Sequence, residues 1–182
     1  MNISDLLKNP SKAKILLNEA LIEKNKELAE ALIPIVRHPY LTYNYAKVMA
    51  RGKIKDEWED IIAQDPYASY YYARDVLRGP FIKGEDTIAQ NPFTAYDYAY
   101  YVLKRPFPKG EDAIATLPSY SYYYAQDVLH DRFRKGEKTI INSREQIVEG
   151  EEDDYLTLYM HFLDSINKLD DFLKDYPEMK FW

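Results

Sequence analysis

The sequence predicts an all-α protein, a short α-solenoid made of two-helix repeats of about 26 residues. The stretch "DPYASYYYARDVLRGPFIKGEDTIAQ" recurs as "NPFTAYDYAYYVLKRPFPKGEDAIAT" and again as "LPSYSYYYAQDVLHDRFRKGEKTIIN". Each copy has a proline where a helix would begin, and its shared apolar residues fall on one helical face. A unit of this size cannot bury its own apolar face, so we expect successive copies to stack on one another.

The repeats are defined by residue types that recur at intervals of 26 from Pro66, Pro92 and Pro118. A fainter copy, one residue longer, starts at Pro39. The shared positions include two tyrosines, an alanine, a valine, a leucine, a phenylalanine and an isoleucine: Tyr70, Tyr96, Tyr122; Tyr72, Tyr98, Tyr124; Ala73, Ala99, Ala125; Val76, Val102, Val128; Leu77, Leu103, Leu129; Phe81, Phe107, Phe133; Ile88, Ile114, Ile140.

A single domain, 1–182, is expected, and its parts follow from the repeats. They are an N-terminal helical cap 1–38, a divergent repeat 39–65, the repeats 66–91, 92–117 and 118–142, and an acidic C-terminal helical cap 143–182.

The first helix of each repeat has its own start and stop signals. Asp65 and Asn91 precede the prolines and can accept hydrogen bonds from free amides, whereas Leu117 predicts a weaker cap in the third copy. The shared Tyr, Ala, Val and Leu positions fall within an arc of about 160° at 100° per residue. The helix is expected to end before Pro80 or Pro106, because the residue before a proline disfavours helix.

A second, shorter helix is expected after each Lys-Gly pair. The acids Glu85-Asp86 and Glu111-Asp112 then lie at its positive end, where the helix dipole favours them. We interpret the single glycine as a cap and the following isoleucine as the residue that buries this helix.

The sequence at both chain ends predicts helices that cap the stack of repeats. The segment "SKAKILLNEALIEKNKELAEALIPIV" predicts one amphipathic helix, or two that are broken near Pro34. The C-terminal segment places an apolar face at helical spacing: Tyr155, Leu158, Tyr159, Phe162, Ile166, Leu169 and Leu173. No apolar run approaches the roughly 20 residues that cross a bilayer, and no signal-peptide pattern is present, so a cytoplasmic protein is expected.

Composition excludes several kinds of chemistry. The absence of cysteine removes disulfides, thiolate catalysis and cysteine-based zinc sites. The net charge of -6 belongs to the C-terminal segment, where 143–182 holds eleven acids and four bases, while the repeats are nearly neutral. This balance weighs against nucleic-acid binding, and the run "EGEEDDY" is interpreted as the solvated first turn of a helix.

Catalytic signatures are missing. The three histidines share no metal-ligand spacing, and no Gly-rich phosphate loop, G-x-S-x-G or H-E-x-x-H motif occurs. The sequence therefore predicts a protein that is not an enzyme and needs neither metal nor cofactor.

Tyrosine is the residue type that most needs an explanation, since 15 of the 18 lie between Tyr40 and Tyr124. The repeated ones are expected to form ladders between stacked helices. The others break the repeat at outward positions and are candidates for a partner surface, because tyrosine offers a large, rigid contact. Packing against adjacent helices is the alternative. With two arginines, the candidate residues are Tyr71, Tyr100, Tyr101, Tyr120, Tyr123, Arg74 and Arg78.

The segment from Pro66 to Ile140 resembles Tyr-rich tandem helical repeats of uncharacterised bacteriophage and large-DNA-virus proteins, of the type "P-x-x-A-Y-x-Y-A-x-x-V-L-x-x-P-F-x-K-G-E-x-x-I". The resemblance implies a helical array and a viral origin, and it transfers no functional residue.

We expect a non-enzymatic binding module that captures or blocks a host protein. Two alternatives stay open. One is single-stranded nucleic-acid binding, with exposed tyrosines stacking on bases while Arg74, Arg78, Lys104 and Arg105 meet phosphates. The other is an enzyme or a small-ligand binder with its site in the solenoid groove.

Overall fold

A computed structural model describes residues 9–144 and 153–181, and the regular elements among them are helices. The all-α class and the tandem two-helix repeats that the sequence predicts are confirmed. The chain divides into two compact units, Met1–Gln90 (unit 1) and Asn91–Trp182 (unit 2). None of the helices in the described ranges combines the length and apolar character needed to cross a bilayer.

Unit 1 holds the N-terminal helices, the divergent repeat and the first clear repeat. Its helices are α1 (Pro10–Ile22), α2 (Lys26–Val36), α3 (Pro39–Tyr45), α4 (Asp56–Ile62), α5 (Pro66–Tyr71) and α6 (Glu85–Ile88). The helices α1 and α2 pack together as a hairpin, and α3 packs on α5, so the two repeats of this unit stack.

Unit 2 holds the other two clear repeats and the C-terminal helices. Its helices are α7 (Pro92–Asp97), α8 (Glu111–Ile114), α9 (Pro118–Tyr123), α10 (Arg134–Asn142), α11 (Tyr155–Ser165) and α12 (Leu169–Asp175), with a 3₁₀ turn at Pro177–Phe181. Here α7 packs on α9, and α9 packs in turn on α11.

The repeat helices begin where the sequence predicts. The Asp65 side chain accepts a hydrogen bond from the Ala68 amide at 2.7 Å, and Asn91 does the same for Thr94 at 3.1 Å. Leu117 makes no side-chain cap, as expected. The shared alanines, phenylalanines and isoleucines are all buried, which confirms their assignment to the core.

The second half of each first helix differs from the prediction. It is a π-helix, at Ala46–Ala50, Tyr72–Leu77, Tyr98–Leu103 and Tyr124–Leu129. Because π-turns bond i to i+5, each residue advances by less than 100° around the axis. The shared tyrosine and alanine that begin this half stay buried, whereas Val76 and Leu77 are half-buried and leave the predicted arc.

Each π-helix ends at a residue in the left-handed region, not simply ahead of a proline. These residues are Arg51, Arg78, Lys104 and His130, with φ between 51° and 54°. Their amides bond to the carbonyl of the shared alanine five residues earlier.

Both terminal predictions need correction. The N-terminal break lies at Lys24 (φ 58°), where Asn25 caps α2, and Pro34 lies inside that helix. The predicted C-terminal helix is divided at Asn167 (φ 59°). Of the predicted apolar series only Tyr159 is buried. The other buried residues of α11 and α12 are Leu156 and Leu163 before the break and Phe172 after it. Of the acidic run, residues 149–152 lie outside the described residues, and Asp154 caps α11 by accepting from the Thr157 amide.

A buried Tyr–Glu link joins neighbouring repeats. In unit 1 the Tyr72 hydroxyl accepts from the Ile54 amide at 3.2 Å and donates to Glu59 at 2.8 Å. In unit 2 the Tyr124 hydroxyl accepts from the Phe107 amide at 2.8 Å and approaches Glu111 at 3.4 Å. Glu111 of the second Lys-Gly-Glu motif, and Glu59 at the corresponding place of the divergent repeat, therefore anchor the next helix.

The C-terminal helix α11 uses the same link. Its Tyr159 hydroxyl accepts from the Phe133 amide at 3.1 Å and donates to Glu137 at 3.1 Å. In this contact α11 docks on the last repeat in the way that one repeat docks on another.

The glycine of each Lys-Gly-Glu motif lets the second helix approach the first. A Cβ added at Gly84 would lie 2.5 Å from the Phe81 ring and 2.7 Å from the Ser69 Cβ. Gly84 has φ -92°, so an L-residue suits the backbone there. Close packing, rather than helix capping alone, therefore requires glycine at this position.

Gly84→Ala is expected to destabilise the protein by about 1–3 kcal/mol, the usual cost of overpacking a core. Gly79→Ala in the same repeat is the matched control, because its Cβ would meet only the Leu77 carbonyl, at 3.9 Å. Chemical denaturation of both variants checks the claim. Equal stability of the two variants would contradict it.

Candidate functional site

The candidate site is a groove in unit 2 between two consecutive π-helices, Tyr98–Leu103 and Tyr124–Leu129. It encloses about 580 Å³. Two aromatic and four titratable side chains line it: Tyr100, Tyr101, Lys104, Arg105, Asp127 and His130. The π-helical geometry and the left-handed residues that follow it place these side chains along the groove.

An equivalent groove occurs in unit 1, between Ala46–Ala50 and Tyr72–Leu77. It encloses about 380 Å³ and is lined at the same repeat positions, with Lys47, Arg51, Asp75 and Arg78. Lys47 stands where unit 2 has Tyr100. The groove is therefore a property of the repeat, and its side chains differ between the units.

Three of the predicted surface tyrosines are exposed. Tyr100, Tyr101 and Tyr123 keep 42%, 55% and 37% of their surface accessible. The two arginines, Arg74 and Arg78, are exposed as well. These residues are accessible to a partner, as the sequence predicts for outward positions.

Tyr71 and Tyr120 are half-buried and make ring contacts. The Tyr71 ring stacks on Tyr43 with centroids 5.9 Å apart, and the Arg74 guanidinium lies 4.9 Å from the Tyr71 centroid. The Tyr120 ring contacts Tyr96 and Phe93 edge-on. At these two positions the structure favours the packing alternative.

Tyr100 is held in place by a stacked neighbour. The Tyr96 and Tyr100 rings are nearly parallel, 6° apart with centroids at 5.9 Å, and Tyr101 meets Tyr100 edge-on at 4.8 Å. Tyr96 donates to Asp127 at 2.8 Å. Burial, with help from this carboxylate, raises the pKa of Tyr96 well above its ordinary value. The exposed Tyr100 ring therefore packs on Tyr96, which is itself held by Asp127.

A second depression adjoins the groove and shares Tyr100, Tyr101 and Asp127 with it. It encloses about 530 Å³ and is otherwise lined by Tyr96, Ser119, Tyr120, Tyr123 and Tyr155. Tyr100 and Tyr101 thus belong to both concavities, so one partner segment that lies across them would contact both.

The charges of the groove are only partly balanced. Asp127 accepts from Tyr96, and within the described residues no carboxylate lies within ion-pair distance of Lys104 or Arg105. Arg74 differs, because it donates to Asp75 at 2.6 Å in unit 1. Lys104 and Arg105 are therefore better placed than Arg74 to meet an anionic group.

Sequence reasoning did not select His130, which lines the groove and takes the left-handed position. The missed signal was that the thirteenth position, counted from each repeat proline, always carries a basic or titratable side chain. Among the residues that the structure describes, no three His, Asp or Glu side chains converge as a metal site would require. The groove offers rings and cations, which suit binding.

No protein-family model matches the chain, and neither the curated proteins nor the solved structures that were compared with it give a match. The resemblance to viral repeats stays a prediction.

Proposed function

We propose that the protein is a non-enzymatic binding module and that the groove of unit 2 docks an acidic polypeptide segment of a partner protein. The observation that carries this proposal is the pair of exposed tyrosines, Tyr100 and Tyr101, beside Lys104 and Arg105. Rigid aromatic anchors flanked by cations are typical of protein-binding surfaces. The resemblance to viral repeats supports a host protein as the partner.

Single-stranded nucleic acid is the second candidate, because the exposed Tyr100 ring, stacked on Tyr96, lies next to two cations on which phosphates could bind. The net charge of -6 and the acidic C-terminal segment weigh against it.

The test compares Tyr100→Ala/Tyr101→Ala with Tyr98→Ala. The double variant removes exposed rings, so it should keep nearly the wild-type melting temperature and lose about tenfold or more in affinity for the partner. Tyr98 is fully buried, so its truncation should cost about 3–5 kcal/mol of stability, as for other large aromatic residues.

The probes are a fluorescent peptide of alternating acidic and apolar residues, a neutral peptide of the same length, and an oligothymidylate. Tighter binding of the acidic peptide, weakened by the double variant, supports the proposal. Preferential, steeply salt-dependent binding of the oligonucleotide would replace it with the second candidate. If both variants lose the same stability, Tyr100 and Tyr101 are packing residues and the proposed surface is wrong.

A further inference from the structure

The groove of unit 1 brings two arginines together. Arg51 and Arg78 occupy the same position in consecutive repeats, both are exposed, and both line the cavity of about 380 Å³. This volume lies within the range of small-molecule sites. Unlike the groove of unit 2, it has no tyrosine in its lining, so aromatic anchoring does not explain it.

The backbone conformation at Arg51 and Arg78 fixes the point from which each side chain leaves the main chain. Arg51 and Arg78 each have φ 54°, a region that residues other than Gly, Asn and Asp seldom adopt. The Ala46 carbonyl accepts from the Arg51 and Gly52 amides, and the Ala73 carbonyl accepts from the Arg78 and Gly79 amides. The Ala46 and Ala73 carbonyls therefore already accept hydrogen bonds from the backbone. This makes them weaker competitors of a ligand for the guanidinium groups.

The one carboxylate in this groove is already satisfied. Asp75 accepts from Arg74 at 2.6 Å, from Lys47 at 2.7 Å and from the Tyr43 hydroxyl at 2.7 Å. These donors, the Arg74 guanidinium first, hold the pKa of Asp75 well below its usual range. Asp75 therefore stays ionised and remains bound to its own partners.

Arg51 and Arg78 have no such partner. Within the described ranges, no carboxylate lies within ion-pair distance of either guanidinium. Three cations and one carboxylate line the groove, so its net charge is positive. Solvated cations over helix C-termini are the simplest reading of one such arginine, and the stacking of consecutive repeats brings the two into one cavity. The groove of unit 1 differs from that of unit 2 in having a guanidinium at both positions, where unit 2 has Lys104 and His130.

We propose that the groove of unit 1 is an oxyanion site, in which Arg51 and Arg78 bind the phosphate or carboxylate groups of a small anionic ligand. The planar guanidinium presents parallel N–H donors that match both groups. The site lies in a different unit from the proposed docking groove and does not rest on the proposed function.

The probes are inorganic pyrophosphate and citrate, titrated separately at low ionic strength by calorimetry. Saturable binding of either one to the wild type is expected, weakened at least tenfold in Arg51→Gln/Arg78→Gln. The matched control, Lys12→Gln/Lys138→Gln, makes the same change of charge at exposed side chains that line neither groove and should bind as the wild type does. All four side chains are exposed, so thermal melting should confirm that both variants fold.

Two results would overturn the site: no saturable binding by the wild type, or an equal loss in both double variants, which would indicate diffuse attraction. Pyrophosphate binding with no citrate binding identifies phosphate as the ligand group, and the converse identifies carboxylate. Arg51→Lys/Arg78→Lys keeps the charge but removes the guanidinium groups. Undiminished binding by this variant would contradict the claim that the guanidinium groups recognise the anion. Tyr100→Ala/Tyr101→Ala should leave pyrophosphate binding unchanged, so this test is independent of the docking groove.

Discussion

Arg132→Met is expected to lower the free energy of unfolding by about 3–5 kcal/mol, because it would leave a buried carboxylate without its cation. Arg132 is 8% exposed and Glu137 is 1% exposed. The guanidinium donates through Nε and Nη2 to the two oxygens of Glu137 at 2.7 and 2.8 Å. Asp175 lies 2.9 Å from the same guanidinium, so this ion pair also fastens the C-terminal helices.

The ion pair is costly to break and is not optimised as a whole. The Arg132 Nη1 atom is buried with no hydrogen-bond partner in the described part of the chain. Arg132→Met/Glu137→Leu is therefore expected to recover most of the loss, since apolar replacement of a whole buried pair is often neutral or stabilising. Tyr159 would lose its acceptor, which limits the recovery.

Urea denaturation of the single and double variants measures both effects. Arg134→Met is the control, because Arg134 is exposed and contacts the same Asp175 at 2.6 Å. Arg134→Met should lower the free energy of unfolding by less than about 1 kcal/mol, as is usual for exposed ion pairs. A double variant as unstable as Arg132→Met would contradict the account.

The second large effect is expected at alkaline pH, where stability should fall once the pH exceeds about 10. Burial raises the pKa of several tyrosines above the ordinary value: Tyr43, Tyr45, Tyr72, Tyr96, Tyr124, Tyr159 and Tyr176. Above pH 10 the unfolded chain releases these protons while the folded chain keeps them. The unfolded state then binds fewer protons, so each such tyrosine removes up to about 1.4 kcal/mol per pH unit.

Tyrosinate absorbance and helical circular dichroism, followed together between about pH 8 and 12, check this expectation. The buried tyrosines should ionise in the same transition in which helix is lost. Tyr72→Phe should make the loss of stability with rising pH less steep, because it removes one tyrosine with a raised pKa. Ionisation of every tyrosine near pH 10 with helix retained would contradict the burial argument.

The repeat register, the starts of the repeat helices and the alanine, phenylalanine and isoleucine positions of the repeat core could all be read from the sequence alone. Asp65 and Asn91 cap their helices through contacts three residues away, and the shared alanines and isoleucines are fully buried in all three clear copies. A helix cap depends on residues that are close along the chain, and the shared core positions are marked by exact repetition. Both can be recognised in the amino-acid sequence. The outward placement of Tyr100 and Tyr101 followed from the same register.

The π-helices, the Tyr–Glu links and the two grooves became visible only in the folded protein. A helical wheel assumes 100° per residue, so it misplaces Val76 and Leu77 once the backbone bonds i to i+5. The pairing of Tyr72 with Glu59, and the presence of Arg51 and Arg78 in one cavity, depend on how one repeat docks on the next. Those contacts join residues far apart in the chain, and the periodicity of a single repeat contains no information about which of its polar side chains will meet.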